Sequence, residues 1–492
     1  MLKSKWGIIS YLLCLSLVVW SNLSWGLSRQ EILSEISLFD PIGRLKNPLE
    51  EAFPGLTVKG LLRNWTRVNT HGHTYDLGHG YKRTEEFPSI EWLAELELRY
   101  RLSPDIELVN VENFLYDAAF DWDDSGDYPS SITKQLEYYR TTDRILRELY
   151  LDIFHGRWQL RLGKQQLVWG KMDGKVIDII NPTDLRYNVA FTQDNYEWTR
   201  LPLWLFNMIY FGSSYYIQFL WIPDFEPSIL PPARGPFSFN LPSLPPYVRI
   251  TTRDEPSSNF RNHEWGIRFN RPIKGWDISL IYFYTWDDIA TLFRRSVTLA
   301  PGTSRPLAVY MEPKHTRLHQ LGLDMDKSFW FLGKAWVFRG EFLFNINDYF
   351  STVGEPLGQD GVTKKDWLLS AIAFETYWLK GELWSLLQIQ QWQVFGYNHN
   401  LRSMGKLQEE DEWVFLLGFY KDFKFTDDRL GVNWTSAFVD DGSGLQRYQI
   451  KYIISDYLSC WVRYWGFYGR SDDRFGMFKD RDQIEFVLTY EF

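Results

Sequence analysis

Apolar and polar residues alternate with a period of two along many segments of this chain, most regularly at its C-terminus. In the last ten residues one face would carry Ile484, Phe486, Leu488, Tyr490 and Phe492, and the other Gln483, Glu485, Val487, Thr489 and Glu491. Successive side chains of a β-strand point to opposite faces, so the pattern predicts a strand with one apolar and one mostly polar face. The apolar face of a final strand has to be buried, and in a closed membrane barrel it is buried by lipid.

The aromatic residue at the end of this strand resembles the assembly signal of bacterial outer-membrane proteins. The residues that carry the resemblance are Phe486, Leu488, Tyr490 and Phe492. The resemblance implies two partners for the chain, the lipid bilayer and the barrel-assembly machinery.

Residues 89–102 show the same alternation with charges on the polar face. One face carries Ile90, Trp92, Ala94, Leu96, Leu98 and Tyr100, and the other carries Glu91, Glu95, Glu97, Arg99 and Arg101. Five charges on one face of a strand could not lie in the dry core of a sandwich, but they suit a water-filled lumen. Residues 56–68 and 444–455 repeat the pattern.

Short and long connections alternate between the expected strands over residues 55–492. The long connections fall at about 69–88, 118–142, 170–200, 223–261, 287–316, 348–364, 395–411, 439–443 and 469–479, with tight joints between them. This alternation is typical of outer-membrane barrels, whose periplasmic turns are short and whose external loops are long. It predicts an all-β, transmembrane antiparallel β-barrel of about 18 strands with both chain ends in the periplasm. A barrel of that size leaves an aqueous channel.

The N-terminal residues predict export. Lys3 and Lys5 precede an apolar run from about Gly7 to Trp20, and small residues at Ser24 and Gly26 follow. The run is too short to span a membrane as a helix, so residues 1–26 are interpreted as a cleaved signal peptide. Residues 27–54 do not alternate, and we expect either a periplasmic segment or a plug that enters the barrel from below.

The composition supports a barrel and argues against nucleic-acid binding. Aromatic residues make up 18% of the chain, with 24 Trp. Their abundance without long apolar runs suits the aromatic girdles at the two lipid–water boundaries. The formal charge of −9 and the lack of a basic tract exclude a typical nucleic-acid-binding protein. A secreted, Trp-rich, sugar-binding β-protein is the soluble alternative.

Residues 160–204 carry a recognisable motif. A strand end with Gly163-Lys-Gln and Trp169-Gly170 precedes Asn181-Pro-Thr-Asp-Leu185, and Arg200-Leu-Pro-Leu-Trp204 closes the segment. The motif resembles a large family of uncharacterised proteobacterial outer-membrane proteins of porin-like type, a domain of unknown function loosely similar to alginate-export-type barrels. The resemblance implies a barrel topology in the outer membrane and no particular substrate.

The third expected external loop, residues 170–200, is too apolar to be freely solvated. It contains Val176-Ile177 and Ile179-Ile180 beside the turn sequence that begins at Asn181. Since long ordered loops are usually functional, we expect this loop to fold into the pore and narrow it. Packing on the rim is the alternative. The residues expected near the constriction are Arg161, Lys164, Asp173, Asp178, Asp184 and Arg186.

Charges of both signs recur on the expected lumen wall. They include Glu95, Arg99, Glu148, Arg339, Glu341, Arg463 and Glu485. No spacing of Ser, His and acidic residues singles out a catalytic site, so these charges are interpreted as shaping the electric field of a channel. Their mixed signs leave the preference between anions and cations open.

Two loops carry weak metal-binding patterns. The segment that begins at Asp121 matches the first half of a calcium-binding loop. The acidic ligand at the twelfth position of such a loop is absent, because that position is Ile132. The acidic positions of this pattern are Asp121, Asp123 and Asp127, and a histidine group comprises His71, His73 and His79. A solvated acidic loop is the preferred interpretation, with no metal or other cofactor expected.

The sequence therefore predicts a porin-like channel in the outer membrane of a Gram-negative bacterium. Small solutes would diffuse passively through a lumen that inward-folded loops constrict. Two alternatives stay open: a transporter of hydrophobic or amphipathic molecules, and an outer-membrane enzyme or surface-binding barrel without a through-channel.

Overall fold

The chain forms a closed antiparallel β-barrel. The computed structural model describes residues 49–70, 73–78, 81–85, 88–119, 145–172, 176–185, 196–230, 245–252, 256–257, 260–353, 359–402, 409–471 and 473–492. The expected signal peptide, most of the segment 27–54, and the candidate metal ligands Asp121, Asp123, Asp127, His71 and His79 lie outside the described residues.

Eighteen strands make up the wall of the barrel. They are β1 (Leu56–Asn69), β2 (Ser89–Ser103), β3 (Ile106–Asp117), β4 (Leu146–His155), β5 (Trp158–Gln165), β6 (Leu203–Phe211), β7 (Tyr216–Ile222), β8 (Glu264–Ile273), β9 (Trp276–Trp286), β10 (Arg317–Phe331), β11 (Lys334–Thr352), β12 (Val362–Trp378), β13 (Leu383–Val394), β14 (Asp411–Asp422), β15 (Leu430–Val439), β16 (Gly444–Ile453), β17 (Leu458–Tyr468) and β18 (Gln483–Glu491). Each strand pairs with the next in the sequence. The predicted fold class and strand number are confirmed.

The last strand closes the barrel against the first. β18 pairs antiparallel with β1, from Glu491 opposite Leu61 to Gln483 opposite Asn69. Phe492 extends the seam, because its backbone N–H donates to the Gly60 carbonyl at 3.0 Å and its backbone carbonyl accepts the Gly60 N–H at 3.2 Å. A Cβ atom on Gly60 would contact the Phe492 ring and lie 2.7 Å from the Glu95 carbonyl oxygen, so only glycine fits there. Closure leaves no free edge.

Short turns gather at one end of the barrel, the turn end, and long connections gather at the other, the loop end. Several of the turns have residues with positive φ in succession, among them Lys274 (51°) with Gly275 (82°) and Leu332 (50°) with Gly333 (70°). This is the conformation that matches the twist of a tight hairpin. The predicted alternation of short and long connections is confirmed.

The loops carry further short elements. Additional strands are His73–Gly78 paired with Tyr81–Glu85, Thr291–Leu299 paired with Pro306–Lys314, Val248–Ile250 parallel to the latter, and Leu401–Arg402 on the end of β11. The 3₁₀ helices are Tyr196–Trp198, Phe260–Asn262, Leu379–Gly381, Lys424–Thr426 and Gly476–Phe478. None of the helices in the described ranges has the length and apolar character needed to cross a membrane.

Burial is inverted relative to a soluble domain. Large apolar side chains on the outward face are exposed, with Leu280 at 56% and Ile450 at 54%. Charged side chains on the inward face are buried, and Arg463 and Glu485 are both 0% exposed. An outward apolar band with polar residues inside is the arrangement that a barrel in lipid requires.

Candidate functional site

The connection between β5 and β6, residues 166–202, enters the barrel. We call it the crossing loop. Its side chains Trp169, Val176, Ile177 and Ile180 are no more than 3% exposed. They form one apolar cluster with inward residues of the wall, Leu203, Leu205, Leu220, Ile222, Ile281, Phe283, Leu343, Leu369 and Ala371. Burial of each large apolar side chain stabilises the inward position by about 1.5–3 kcal/mol. The apolar loop sequence is explained by this contact.

Glu341 on β11 anchors the crossing loop to the wall. Its carboxylate accepts the backbone N–H groups of Met172 at 2.9 Å and Ile177 at 3.1 Å, and also that of Lys171. Gly170 permits this approach, because a Cβ atom there would lie 3.3 Å from both carboxylate oxygens. Three donors on one buried carboxylate compensate the cost of removing its charge from water.

Lys171 adds a second contact to the same wall. Its ammonium group lies 3.0 Å from Asp277 and 3.4 Å from Asp324, and it also binds Asp326. Burial by itself would lower the pKa of Lys171, but hydrogen bonds to Asp326 and Asp277 outweigh it and raise the pKa above its ordinary value. Lys171 therefore stays charged at physiological pH.

The end of the crossing loop reaches the opposite wall. The indole N–H of Trp198 donates to Glu95 on β2 at 3.0 Å, and the Arg63 guanidinium lies 3.9 Å from the centre of the indole ring. β2 and β11 are nine strands apart in a ring of eighteen. The loop therefore spans the lumen from side to side.

Contacts between the two limbs of the crossing loop hold its shape. Asn181 accepts the Leu167 N–H at 2.8 Å and donates its side-chain amide to the Leu201 carbonyl at 2.8 Å. Arg200 donates to Asp178 at 2.7 Å. The Asp184 N–H donates to the Thr199 carbonyl at 2.6 Å. These bonds make the loop an ordered constriction.

The structure separates the residues expected at the constriction. Asp178 and Asp184 lie in the crossing loop, whereas Asp173 and Arg186 lie outside the described residues. Arg161 is on the inner wall, 2.6 Å from Asp152. Lys164 instead shares the outward face with Leu162, and its ammonium donates to the Leu146 carbonyl at 3.0 Å. Arg161 and Lys164 are three positions apart on a strand, so they cannot share a face.

The charged residues expected on the wall occupy inward strand positions, and four of them, Arg99, Arg339, Arg463 and Glu485, form ion pairs. Arg463 on β17 donates to Glu485 on β18 at 2.8 Å, and Arg67 on β1 lies 3.2 Å from the same carboxylate. Arg67 also pairs with Glu91 on β2. Arg339 pairs with Glu375 and donates to the Lys171 carbonyl. Charges of opposite sign therefore alternate over the four consecutive strands β17, β18, β1 and β2.

Sequence reasoning missed a second inward loop. Phe475 and Phe478, between β17 and β18, are buried against the inward side chains Leu445, Trp465 and Phe467. Arg474 in the same loop pairs with Glu412 on β14 at 2.8 Å. The two phenylalanines in a short polar segment are the sequence signal that could have indicated it. Lys171 was missed because a single lysine in a loop forms no pattern.

A cavity of about 320 Å³ lies between the crossing loop and the inner wall of β2, β3 and β4. Its lining includes Glu95, Arg147, Glu148, Tyr150, Glu197 and Trp198. The part of the chain that the structure describes contains no group of three or more His, Cys, Asp or Glu side chains placed to hold a metal ion.

The fold has counterparts among solved structures. The chain is similar to OccK2 (OpdF) of Pseudomonas aeruginosa, in a crystal structure in complex with glucuronate, at 10% identity and a TM-score of 0.50, covering 89% of this chain and 98% of that chain. It is also similar to the outer membrane protein opdK of Pseudomonas aeruginosa, at 10% identity and a TM-score of 0.49, covering 89% and 99%. At this identity the likeness to OccK2 shows a shared fold, that of an outer-membrane barrel.

The sequence also matches a family. No curated protein matches the chain. Residues 88–420 match the family described as "Protein of unknown function (DUF1302)". The match includes the whole motif between residues 160 and 204, and the resemblance to an uncharacterised porin-like family is confirmed. Because the match covers more than half of the chain, this protein belongs to the DUF1302 family.

Proposed function

We propose that the protein is a porin-like channel through which small solutes diffuse passively across the outer membrane of a Gram-negative bacterium. The turn end would face the periplasm and the loop end the exterior, as in other barrels with short and long connections. Residues 1–26 would be removed on export. Residues 27–54 would lie in the periplasm or enter the lumen from below.

The crossing loop is the observation that carries the proposal. A closed wall of 18 strands is wide enough to leave an aqueous channel. The loop bridges that lumen between Glu341 and Glu95, which are on opposite walls. A constriction fixed at both sides selects solutes by size, and the charges beside it select by sign.

The pairing of the wall charges supports transport over catalysis. An enzyme needs an acid, a base or a nucleophile held ready for a substrate. The wall carboxylates Glu341 and Glu485 instead accept hydrogen bonds from the crossing loop and from arginines of neighbouring strands. These contacts order the constriction and shape its field.

Solute flux into proteoliposomes tests the proposal. The purified, folded barrel is reconstituted into liposomes, and swelling is recorded in isotonic solutions of a series of neutral sugars of increasing size. We expect rapid swelling with monosaccharides and progressively slower swelling with larger sugars. A folded barrel that admits not even the smallest sugar, and passes no ions, would contradict the proposal and favour a surface-binding barrel or an enzyme.

A further inference from the structure

Arg63 is a buried cation of the inner wall whose hydrogen-bond donors are only partly used. It lies midway along β1 and is 5% exposed. Its Nε–H donates to the Thr489 hydroxyl at 3.1 Å. Among the residues that the structure describes, its two terminal nitrogens donate no hydrogen bond and its guanidinium forms no ion pair. Removing a cation from water is costly unless hydrogen bonds compensate it, so these donors call for an acceptor.

Two indole rings and one hydroxyl fix the position of the Arg63 guanidinium. Its carbon lies 3.9 Å from the ring centre of Trp198, at the end of the crossing loop, and 5.6 Å from that of Trp461 on β17. The rings lie against the guanidinium faces, and Thr489 uses the Nε–H. The edge that remains carries the two terminal nitrogens. Two parallel N–H donors on such an edge match the geometry of a carboxylate or a phosphate.

The acidic side chains nearest to Arg63 do not supply that acceptor. Glu91 pairs with Arg67 on the same face of the wall. Glu95 accepts the indole N–H of the crossing loop at 3.0 Å. Glu491 is exposed at the turn end of β18. These three carboxylates moderate the charge of Arg63 at longer range and leave its terminal N–H groups free to bind a solute.

Three indole N–H groups in the same sector of the wall are an independent sign of an acceptor ligand. The ring centres of Trp461, Trp65 and Trp465 lie 5.4, 5.7 and 5.9 Å from the guanidinium carbon of Arg463. The indole nitrogen of each is buried and has no hydrogen-bond partner within the described part of the chain. An indole nitrogen can only donate, so a group that satisfies it has to offer acceptor atoms. An ammonium group offers none.

Lys451 brings a further positive charge to the same place. It lies on β16, directly opposite Trp461 on β17. Its ammonium group is 5.8 Å from the centre of the Trp461 ring. It forms no ion pair and no hydrogen bond with any residue that the structure describes. The Trp461 ring therefore has two cations beside it, Arg63 and Lys451, that no carboxylate of the described residues pairs with.

We propose that the wall around Arg63 binds the oxyanion group, a carboxylate or a phosphate, of a small solute on its way past the crossing loop. The oxyanion accepts the terminal N–H groups of Arg63 and the indole N–H of Trp461, and Lys451 adds to the positive field. The inference rests on the proposed function for the claim that the bound anion is in transit, and on these side chains alone for the claim that it binds.

Calorimetric titration of the full-length, detergent-solubilised barrel with succinate and, separately, with inorganic phosphate tests the binding. We expect saturable binding of at least one of them, which Arg63→Gln weakens about tenfold or more because charge-assisted hydrogen bonds are lost. Trp461→Phe keeps the ring and removes its N–H, and should weaken the same binding about threefold. Arg157→Gln, which removes an equal charge from an exposed turn between β4 and β5, is the matched control and should leave the affinity unchanged.

Heat-modifiable migration on a gel shows which variants are folded, and Arg63→Lys, which keeps the charge but not the paired donors, replaces Arg63→Gln if the latter does not fold. Tighter binding of succinate would support a carboxylate ligand, and tighter binding of phosphate a phosphate ligand. Anion binding that the Arg63 variant leaves intact would overturn the proposal. Absence of binding by both anions to a barrel that passes sugars would overturn it while leaving the proposed function standing. Anion binding to a barrel that passes nothing would instead support the site and contradict the channel.

Discussion

Glu341 on the wall and Lys171 in the crossing loop both stabilise the contact between the loop and the wall. Glu341 receives backbone N–H groups of the loop, and Lys171 reaches from the loop to three aspartates of the wall. Either side chain can be changed without altering the barrel strands themselves. These two residues therefore allow the constriction to be tested separately from the fold.

Replacing Glu341 by Gln should loosen the crossing loop. The amide keeps one acceptor oxygen but loses the charge, which weakens the docked position by about 1–3 kcal/mol. We expect more frequent current fluctuations in single-channel recordings, with the barrel still heat-modifiable. Glu382→Gln, in the turn between β12 and β13, should record like the unmodified protein. A Glu341→Gln channel as quiet as this control would show that the loop does not depend on the carboxylate.

Replacing Lys171 by Met should make the channel more selective for cations. The substitution removes one positive charge and leaves Asp277 and Asp326 without their lysine partner, so the local field becomes more negative. The reversal potential in a KCl gradient should shift toward the potassium potential. Lys479→Met, at an exposed position of the loop between β17 and β18, is the control. A shift toward anions would contradict the placement of Lys171.

The sequence predicted which residues of the wall are charged, but not which residues their side chains contact. Because side chains alternate between the two faces of a strand, the position of Glu341 along its strand is enough to predict that its side chain faces the lumen. The same reasoning would have placed the Lys164 side chain on the outward face. The partner of Glu341 is 164 residues away at Ile177. A contact over that distance along the chain leaves no local pattern, so only the folded structure brings the two together.

The seam between β18 and β1 is the element on which closure depends. Gly60 lies against the Phe492 ring, and both of its backbone hydrogen bonds at the seam go to Phe492. The strands, their order and this seam followed from periodicity and connection length, because both are local properties of the sequence. The small sheet formed by Thr291–Leu299 and Pro306–Lys314 was not predicted, because a loop strand faces neither lipid nor lumen consistently.

Gly60→Val should impair closure of the barrel. A branched side chain would have to displace the Phe492 ring or the neighbouring β2 backbone, and overpacking of this kind costs about 1–3 kcal/mol. We expect a lower yield of heat-modifiable, folded protein. Thr66→Val, a change of similar shape on the same strand, should fold normally. Equal yields for the two variants would mean that the close approach at Gly60 is not required.

At the scale of the whole molecule, the exposed apolar band predicts how strongly a charged substitution on the lipid face destabilises the barrel at each depth in the membrane. An arginine on the lipid face costs about 2–4 kcal/mol at the midplane and about 0–1 kcal/mol near the interface. Leu280 lies midway along β9, and Leu102 lies at the turn end of β2. Denaturant titration in lipid vesicles should therefore show a large loss for Leu280→Arg and little loss for Leu102→Arg. Equal losses would contradict the assigned membrane position.

The central claim is that a water-filled path passes the crossing loop and connects the two ends of the barrel. Single-channel recording in a planar lipid bilayer tests it most directly. The purified, folded protein should insert in discrete steps of equal conductance that stay open at low voltage and grow in proportion to salt concentration. Insertion confirmed by heat-modifiable protein in the membrane, with no conductance above the bare bilayer, would contradict the claim.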